Sequence, residues 1–290
     1  MTEQELEHSR IDVGEIRLHV VQAKPEKLTD DTKLVIFLHG FPEYWESWRH
    51  QLTFFQKQGF WAVAPDLRGY GESDKPWDVG EYEVEKLAGD IAGLIRSLGR
   101  KKAYVVGHDW GAVVAWMFAQ EHQDLLERLA ILNVPHPLQM QRALQRSAKQ
   151  MLRSWYIFFF QISKLPELVI ARNDYDFIRR TFAADKVPSE EIERYVAALR
   201  KPGVVRSAVN YYRATIRRLF KGRIPKSKVI ERPVLVLWGD RDRFLGKELA
   251  DPPKRFVPDQ RVEHFPDASH WLQLDARDGV NARLLEFFGG

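Results

Sequence analysis

The run Lys102-Ala103-Tyr104-Val105-Val106 leads into Gly107-His108-Asp109-Trp110-Gly111, and a largely apolar helix, Ala112–Gln120, follows at once. A short β-branched, apolar run of this kind suits a strand buried in a parallel sheet. Small residues on both sides of Asp109 permit a strained strand-to-helix turn that lifts one side chain above the sheet, the pattern of a nucleophile elbow. The lifted side chain is Asp109. A carboxylate can attack carbon directly and form an ester, whereas a serine needs a base to take its proton. The N-terminus of the helix behind it favours the ionised form, which is the form that attacks.

Working outward, apolar runs recur at Lys33–His39, Trp61–Pro65, Leu129–Asn133, Val234–Trp238 and Arg261–Phe265. Between them Glu83–Leu98 places Val84, Leu87, Ile91, Leu94, Ile95 and Leu98 at helical spacing. Alternating strands and helices predict an α/β fold with a mostly parallel, doubly wound sheet. The alternation stops after Asn133 and resumes near Val234, and the stretch between is helical in pattern and rich in aromatics. It reads as an inserted helical cap over residues 137–222, with a core of 1–136 and 223–290. No internal repeat or low-complexity segment is present.

The chain has 290 residues, 44% hydrophobic and 12% aromatic, enough for a large core and incompatible with a disordered tail or fibre. It has no cysteine, which excludes disulfides, a thiol nucleophile and Cys-ligated metals. With 44 Lys plus Arg against 40 Asp plus Glu, charge gives no general reason to expect nucleic acid. The balance is uneven, however: Pro137–Arg232 carries 21 basic and 8 acidic residues. Solvated helix faces are the simplest account of that excess, and attraction of anionic substrates or surfaces is the functional one. The polar, acidic start, Met1–Arg10, lacks the pattern of a secretory signal, and no apolar run reaches the roughly 20 residues needed to cross a bilayer. A cytoplasmic location is expected.

His39-Gly40-Phe41-Pro42 follows the strand Lys33–Leu38, where such a fold supplies an oxyanion-hole amide. The backbone N–H groups of Phe41 and Trp110 are the candidate donors, and His39 reads as a structural residue holding its loop. The chain order nucleophile, acid, histidine points to His270, past the last strand, as base, with Asp242 as its orienting acid. Neutral imidazole can take a proton from water, and a buried carboxylate fixes its tautomer. Asp240 and Asp267 are rivals for the acid; Asn133, at the end of another strand, cannot carry the charge.

Taken together, His39-Gly40-Phe41-Pro42-Glu43, Asp66-Leu67-Arg68-Gly69-Tyr70-Gly71, the elbow, the cap and Ser269-His270-Trp271 resemble the α/β-hydrolase fold, and within it the epoxide hydrolases. The resemblance spans nearly the whole chain. It implies two cap tyrosines, one in an aromatic stretch and one in an Asn-x-Tyr-Arg motif, and Tyr156 and Tyr212 match those positions; Tyr211 would face elsewhere on a helix. A phenol with a pKa near 10 stays protonated at neutral pH and can donate to an opening epoxide oxygen. The implied reaction turns an epoxide and water into a vicinal diol through an ester on Asp109, hydrolysed by water that His270 activates. It needs no metal and no cofactor. The implied partner is a small apolar or aromatic epoxide, with Trp45, Trp155 and Phe158 as substrate-contacting aromatics and a monomer or homodimer as the assembly.

A haloalkane or haloacid dehalogenase is the nearest alternative, since those enzymes also use an aspartate nucleophile. Halide release needs N–H donors, which Trp110 and Trp155 could supply, although many dehalogenases have asparagine where this chain has Phe41, and haloacetate enzymes have arginine where it has Trp110. Asp109 in the nucleophile position disfavours a serine-type hydrolase. A catalytically dead binding module would have no need of Asp109, Asp242, His270, Tyr156 and Tyr212 together.

Overall fold

The computed structural model describes residues 6–220 and 227–289. Eight strands form one sheet: β1 (Glu7–Asp12), β2 (Arg17–Ala23), β3 (Leu34–Leu38), β4 (Trp61–Pro65), β5 (Ala103–His108), β6 (Leu126–Leu132), β7 (Val234–Gly239) and β8 (Gln260–Phe265). Their order is β1-β2-β4-β3-β5-β6-β7-β8. All pairings from β4 to β8 are parallel, while β1 and β2 add an antiparallel hairpin at one edge.

Alternation of side chains along each strand sends residues to opposite faces. Leu34, Ile36 and Leu38 of β3 pack with α2 (Val84–Ser97) and α3 (Trp110–Glu121), while Val35 and Phe37 pack with α1 (Arg49–Lys57) and α11 (Arg277–Phe287). Each fully buried Leu, Ile, Val or Phe contributes about 1.5–3 kcal/mol, and the two edge strands, β1 and β8, are the ones that lack a continuous buried run. The hairpin escaped the sequence reading because β1 is polar and largely exposed and because Arg17, His19 and Gln22 break the apolar run of β2, buried though it is. β8, expected to be buried on both faces, alternates between intermediate and exposed positions because it is the far edge strand.

Between β6 and β7 lie α4 (Pro137–Arg146), α5 (Ala148–Arg153), α6 (Trp155–Phe159), α7 (Leu165–Ala183), α8 (Ser189–Leu199) and α9 (Val204–Phe220). α7 is kinked over Arg172–Tyr175. The expected boundary at 222/223 lies outside the described residues. The final short α10 (Leu272–Asp275) directly follows the His270 loop.

β3 and β5 are neighbours, with Leu38 opposite Gly107, yet the chain leaves them in opposite directions, to β4 and to β6. Their C-terminal ends therefore border the crevice where doubly wound sheets bind ligands. Asp109 sits there with φ 47° and ψ −121°, a conformation costing about 1–3 kcal/mol for a residue with a Cβ. Close backbone approach holds it in place: a Cβ on Gly111 would lie 2.1 Å from the Leu38 carbonyl oxygen. Gly111→Ala should accordingly lower the melting temperature by on the order of 5 °C or more, read by calorimetry; an unchanged melt would contradict this account of the elbow.

Candidate active site

Asp109 Oδ1 accepts a 2.7 Å hydrogen bond from the Phe41 N–H. Gly40 makes this possible, since a Cβ there would lie 2.3 Å from the Asp109 Cβ. The Ala112 and Val113 N–H groups donate to the Asp109 carbonyl. Trp110 is the first residue of α3, so its own N–H has no acceptor within the helix. His39 is buried: its Nε2 accepts from the Leu67 N–H at 3.0 Å, and its Nδ1 therefore carries the proton given to the Gly40 carbonyl. Burial lowers its pKa against the pull of nearby carboxylates. This is a neutral ring that ties down a loop.

His270 stands between two carboxylates. Nδ1 is 2.7 Å from Asp242 Oδ2, and Nε2 is 3.6 Å from Asp109 Oδ2. Burial alone would lower the imidazole pKa, but the charges and hydrogen bonds of Asp242 and Asp109 outweigh it and raise it to about 10. Burial likewise opposes ionisation of both carboxylates, and His270 outweighs it in each case, leaving both pKa values below the ordinary range. The resting arrangement is thus an imidazolium flanked by two carboxylates.

Asp242 is held by four donors in all. The Phe244 and Leu245 N–H groups reach Oδ1 at 2.7 and 2.9 Å, and Asn133 Nδ2 reaches Oδ2 at 2.8 Å, beside His270. Asn133, set aside in the sequence as unable to carry charge, supports the residue that does. Neither rival acid is near His270: Asp240 pairs with His264 and Lys247, and Asp267 with Arg241 at the surface. Sequence reasoning also passed over the layer beneath. Buried His108 places Nδ1 2.8 Å from Glu43 and Nε2 2.9 Å from the His270 carbonyl, and Gln273 donates to Glu43 at 2.8 Å. Its one signal was His108 beside the nucleophile.

Asp109 and His270 open into a cavity of about 420 Å³ that Phe41, Tyr156, Phe160, Tyr212, Phe244 and Trp271 help to line. The rings of Tyr156 and Tyr212 are 5.9 Å apart in an edge-to-face arrangement. Burial first, and the Asp109 charge second, push both phenol pKa values up, so both remain proton donors at neutral pH. Tyr211 turns away, its hydroxyl donating to the Arg68 carbonyl at 2.7 Å. Arg213, the last residue of the Asn-x-Tyr-Arg motif, donates to the carbonyls of Phe160 and Ile162 and pairs with Glu167. It thereby fixes the segment carrying Tyr156 against the helix carrying Tyr212.

Two expected aromatics do not line this cavity. Trp45 packs edge-on against His8 and Tyr44 behind the site, and Phe158 faces outward, 53% exposed. Helix rotation in the assembled fold, not residue type, decides which aromatics point inward. Trp155 does line the cavity, at its mouth. No group of three or more His, Cys, Asp or Glu side chains among the described residues could hold a metal ion.

Residues 33–277 match the family described as alpha/beta hydrolase fold. The chain is 36% identical over 282 residues to the AB hydrolase superfamily protein YfhM of Bacillus subtilis, with 96% of each chain covered. It is 35% identical to epoxide hydrolase 4 of Mus musculus, covering 96% of this chain and 78% of that one. Among solved structures, the epoxide hydrolase of Bacillus megaterium in complex with an inhibitor superimposes with a TM-score of 0.87 at 29% identity, over 97% of this chain and all of that one. The chain belongs to the epoxide hydrolase family of the α/β-hydrolase fold.

The raised pKa of His270 links site and stability. Its ordinary value is 6.5 and its folded value about 10, so protonated His270 contributes stability that is complete below the ordinary value and is lost as pH rises through the folded one, while the lowered carboxylates of Asp109 and Asp242 contribute stability that is lost as pH falls through their folded values. Nitrogen-15 NMR of the resting protein should show an imidazolium at about pH 8. A neutral ring there would contradict the flanked-imidazolium geometry.

Proposed function

We propose that the protein hydrolyses epoxides to vicinal diols through a covalent ester on Asp109. The observation that carries this reading is one cavity lined at once by an elbow carboxylate, a paired imidazole and two buried phenols. An ionised carboxylate supplies the nucleophile and the phenols supply the proton that an opening epoxide oxygen needs. Helices α4–α9 act as a cap domain that brings the phenols over the sheet. The names of the relatives support the same substrate class.

In the first step an Asp109 oxygen bonds to an epoxide carbon, the carbon–oxygen bond breaks, and Tyr156 or Tyr212 protonates the departing oxygen, leaving a phenolate. Esterification also removes the Asp109 charge, one of the two charges that hold the His270 proton. The imidazolium proton then passes to the phenolate through solvent, and His270 becomes a base. In the second step His270 takes a proton from water, whose oxygen attacks the ester carbonyl while the Phe41 and Trp110 amides hold the oxyanion. The alkoxide of the diol leaves with the proton from His270, and the Asp109 carboxylic acid that results passes its proton to His270, which restores both the carboxylate and the imidazolium. Protons balance over the cycle, and the net consumption is one water.

Carbon–halogen cleavage is less well supported. The Trp110 ring packs edge-to-face against Tyr211 and Tyr212 and does not line the cavity, which leaves Trp155 of the two indoles, exposed at the mouth, for a departing halide. An apolar or aromatic epoxide fits the lining.

His270→Gln should accumulate an adduct with the mass of protein plus epoxide, and an unmodified protein that still consumes substrate would refute the covalent scheme. Tyr156→Phe combined with Tyr212→Phe should slow ester formation at least about 100-fold; alkylation at the native rate would remove the phenols from the acid role. Product analysis on an aryl epoxide, a haloalkane and fluoroacetate should give diol and no halide, and halide without diol would transfer the assignment to a dehalogenase.

A further inference from the structure

The cavity opens through a surface that water alone does not explain. Met151, Leu152, Trp155, Phe158, Ile162 and Leu168 are all exposed, Leu152 at 75% and Leu168 at 68%. Met151 and Leu152 lie on α5, Trp155 and Phe158 on α6, Ile162 just after it and Leu168 in the first turn of α7, so the exposed apolar residues come from one continuous stretch of the cap. A concentration of large apolar side chains this dense marks an interaction surface, whereas scattered exposed residues need no account.

The same stretch is uniformly basic. From Pro137 to Arg172 the cations are Arg142, Arg146, Lys149, Arg153, Lys164 and Arg172, and the one acid, Glu167, is bound to Arg213. None of these six cations has an ion pair among the described residues, whereas Arg179, Arg194 and Arg200 of the neighbouring helices are paired. The excess cations thus lie in the same stretch of chain as the exposed apolar residues, without an ion-pair partner among the described residues.

We propose that this face docks on an anionic lipid bilayer. Aromatic and aliphatic side chains flanked by free Lys and Arg are the composition of an interfacial membrane-binding surface, in which the apolar groups enter the headgroup boundary and the cations meet anionic lipids. Charge also selects among partners. In a two-fold symmetric dimer the patch would meet its own cations, and a nucleic acid would satisfy the cations while leaving Leu152, Ile162 and Leu168 in water.

Leu152, Arg153 and Trp155 also line the cavity, so the entrance would face the bilayer. An apolar substrate dissolved in lipid would pass to Asp109 without crossing water. That consequence rests on the proposed epoxide turnover; the docking itself does not.

Co-sedimentation of the whole protein with vesicles tests the proposal. Binding to phosphatidylcholine mixed with phosphatidylglycerol should exceed binding to phosphatidylcholine alone by at least about tenfold and should weaken as salt is added. The triple variant Phe158→Asp, Ile162→Glu, Leu168→Glu, none of which lines the cavity, should lose that binding with its thermal melt and its turnover of a water-soluble epoxide unchanged. A second variant, Lys149→Glu with Lys164→Glu and Arg172→Glu, should lose the preference for anionic lipid. Failure of the native protein to sediment with anionic vesicles would overturn the proposal, as would undiminished binding of the triple variant. A dimer in light scattering that the triple variant dissociates, with no vesicle binding, would assign the patch to a second copy instead. Intact vesicle binding without diol formation would overturn the epoxide reading and leave the docking surface standing.

Discussion

One imidazolium shared between two carboxylates is the constraint around which the site is built. Asp109 and Asp242 are near enough to His270 that burial, which opposes all three charges, is outweighed. Remove His270 and both carboxylates lose the cation that keeps them charged away from water; remove either carboxylate and His270 loses one of the two charges that hold its proton. In the proposed cycle the reaction itself performs this removal, since esterification neutralises Asp109. The group that stabilises the nucleophile at rest is thereby released to act as a base. No conformational change is required for the switch, only the loss of a charge 3.6 Å away.

The sheet brings these groups together because strands β3, β5 and β7 and the loop after β8 end at the same edge. Each contributes one element: Phe41, Asp109, Asp242 and His270 in turn. Beneath them, His108 spans from Glu43 to the His270 carbonyl, so the nucleophile's own neighbour fastens the loop that carries the base. Above them the helices inserted after β6 supply the phenols, and Gln150 ties α5 to the Asp242 loop through the Phe244 carbonyl and the Gly246 N–H. The floor of the cavity is polar and held by hydrogen bonds. Its roof is aromatic.

Much of this was legible in the chain. The central strands are uniformly apolar in sequence, and an unbroken apolar run is what makes a strand readable; β1 is polar, and the polar residues Arg17, His19 and Gln22 interrupt β2, so neither gave that signal. Asp109, Asp242 and His270 could be named because the elbow and the chain order are local patterns. The sequence favours Asp242 over Asp240 and Asp267, and the loop conformation supplies the physical reason: two backbone amides turn toward its carboxylate and Asn133 meets it from another strand. The directions of Trp45 and Phe158 were not legible, because the rotation of a helix or turn about its axis is set by what it packs against. Tyr212 was separated from Tyr211 by a motif, and the separation has a physical basis in the hydrogen bond from Tyr211 to the Arg68 carbonyl.

A single turnover in oxygen-18 water, with enzyme in excess over epoxide, tests the central claim most directly. An ester on Asp109 that water opens at the carbonyl leaves the heavy oxygen in the Asp109 carboxylate and none in the diol. Mass spectrometry of the peptide containing Asp109 should therefore show the label. Heavy oxygen in the diol, with Asp109 unlabelled, would mean that water attacks the epoxide itself and would contradict the account.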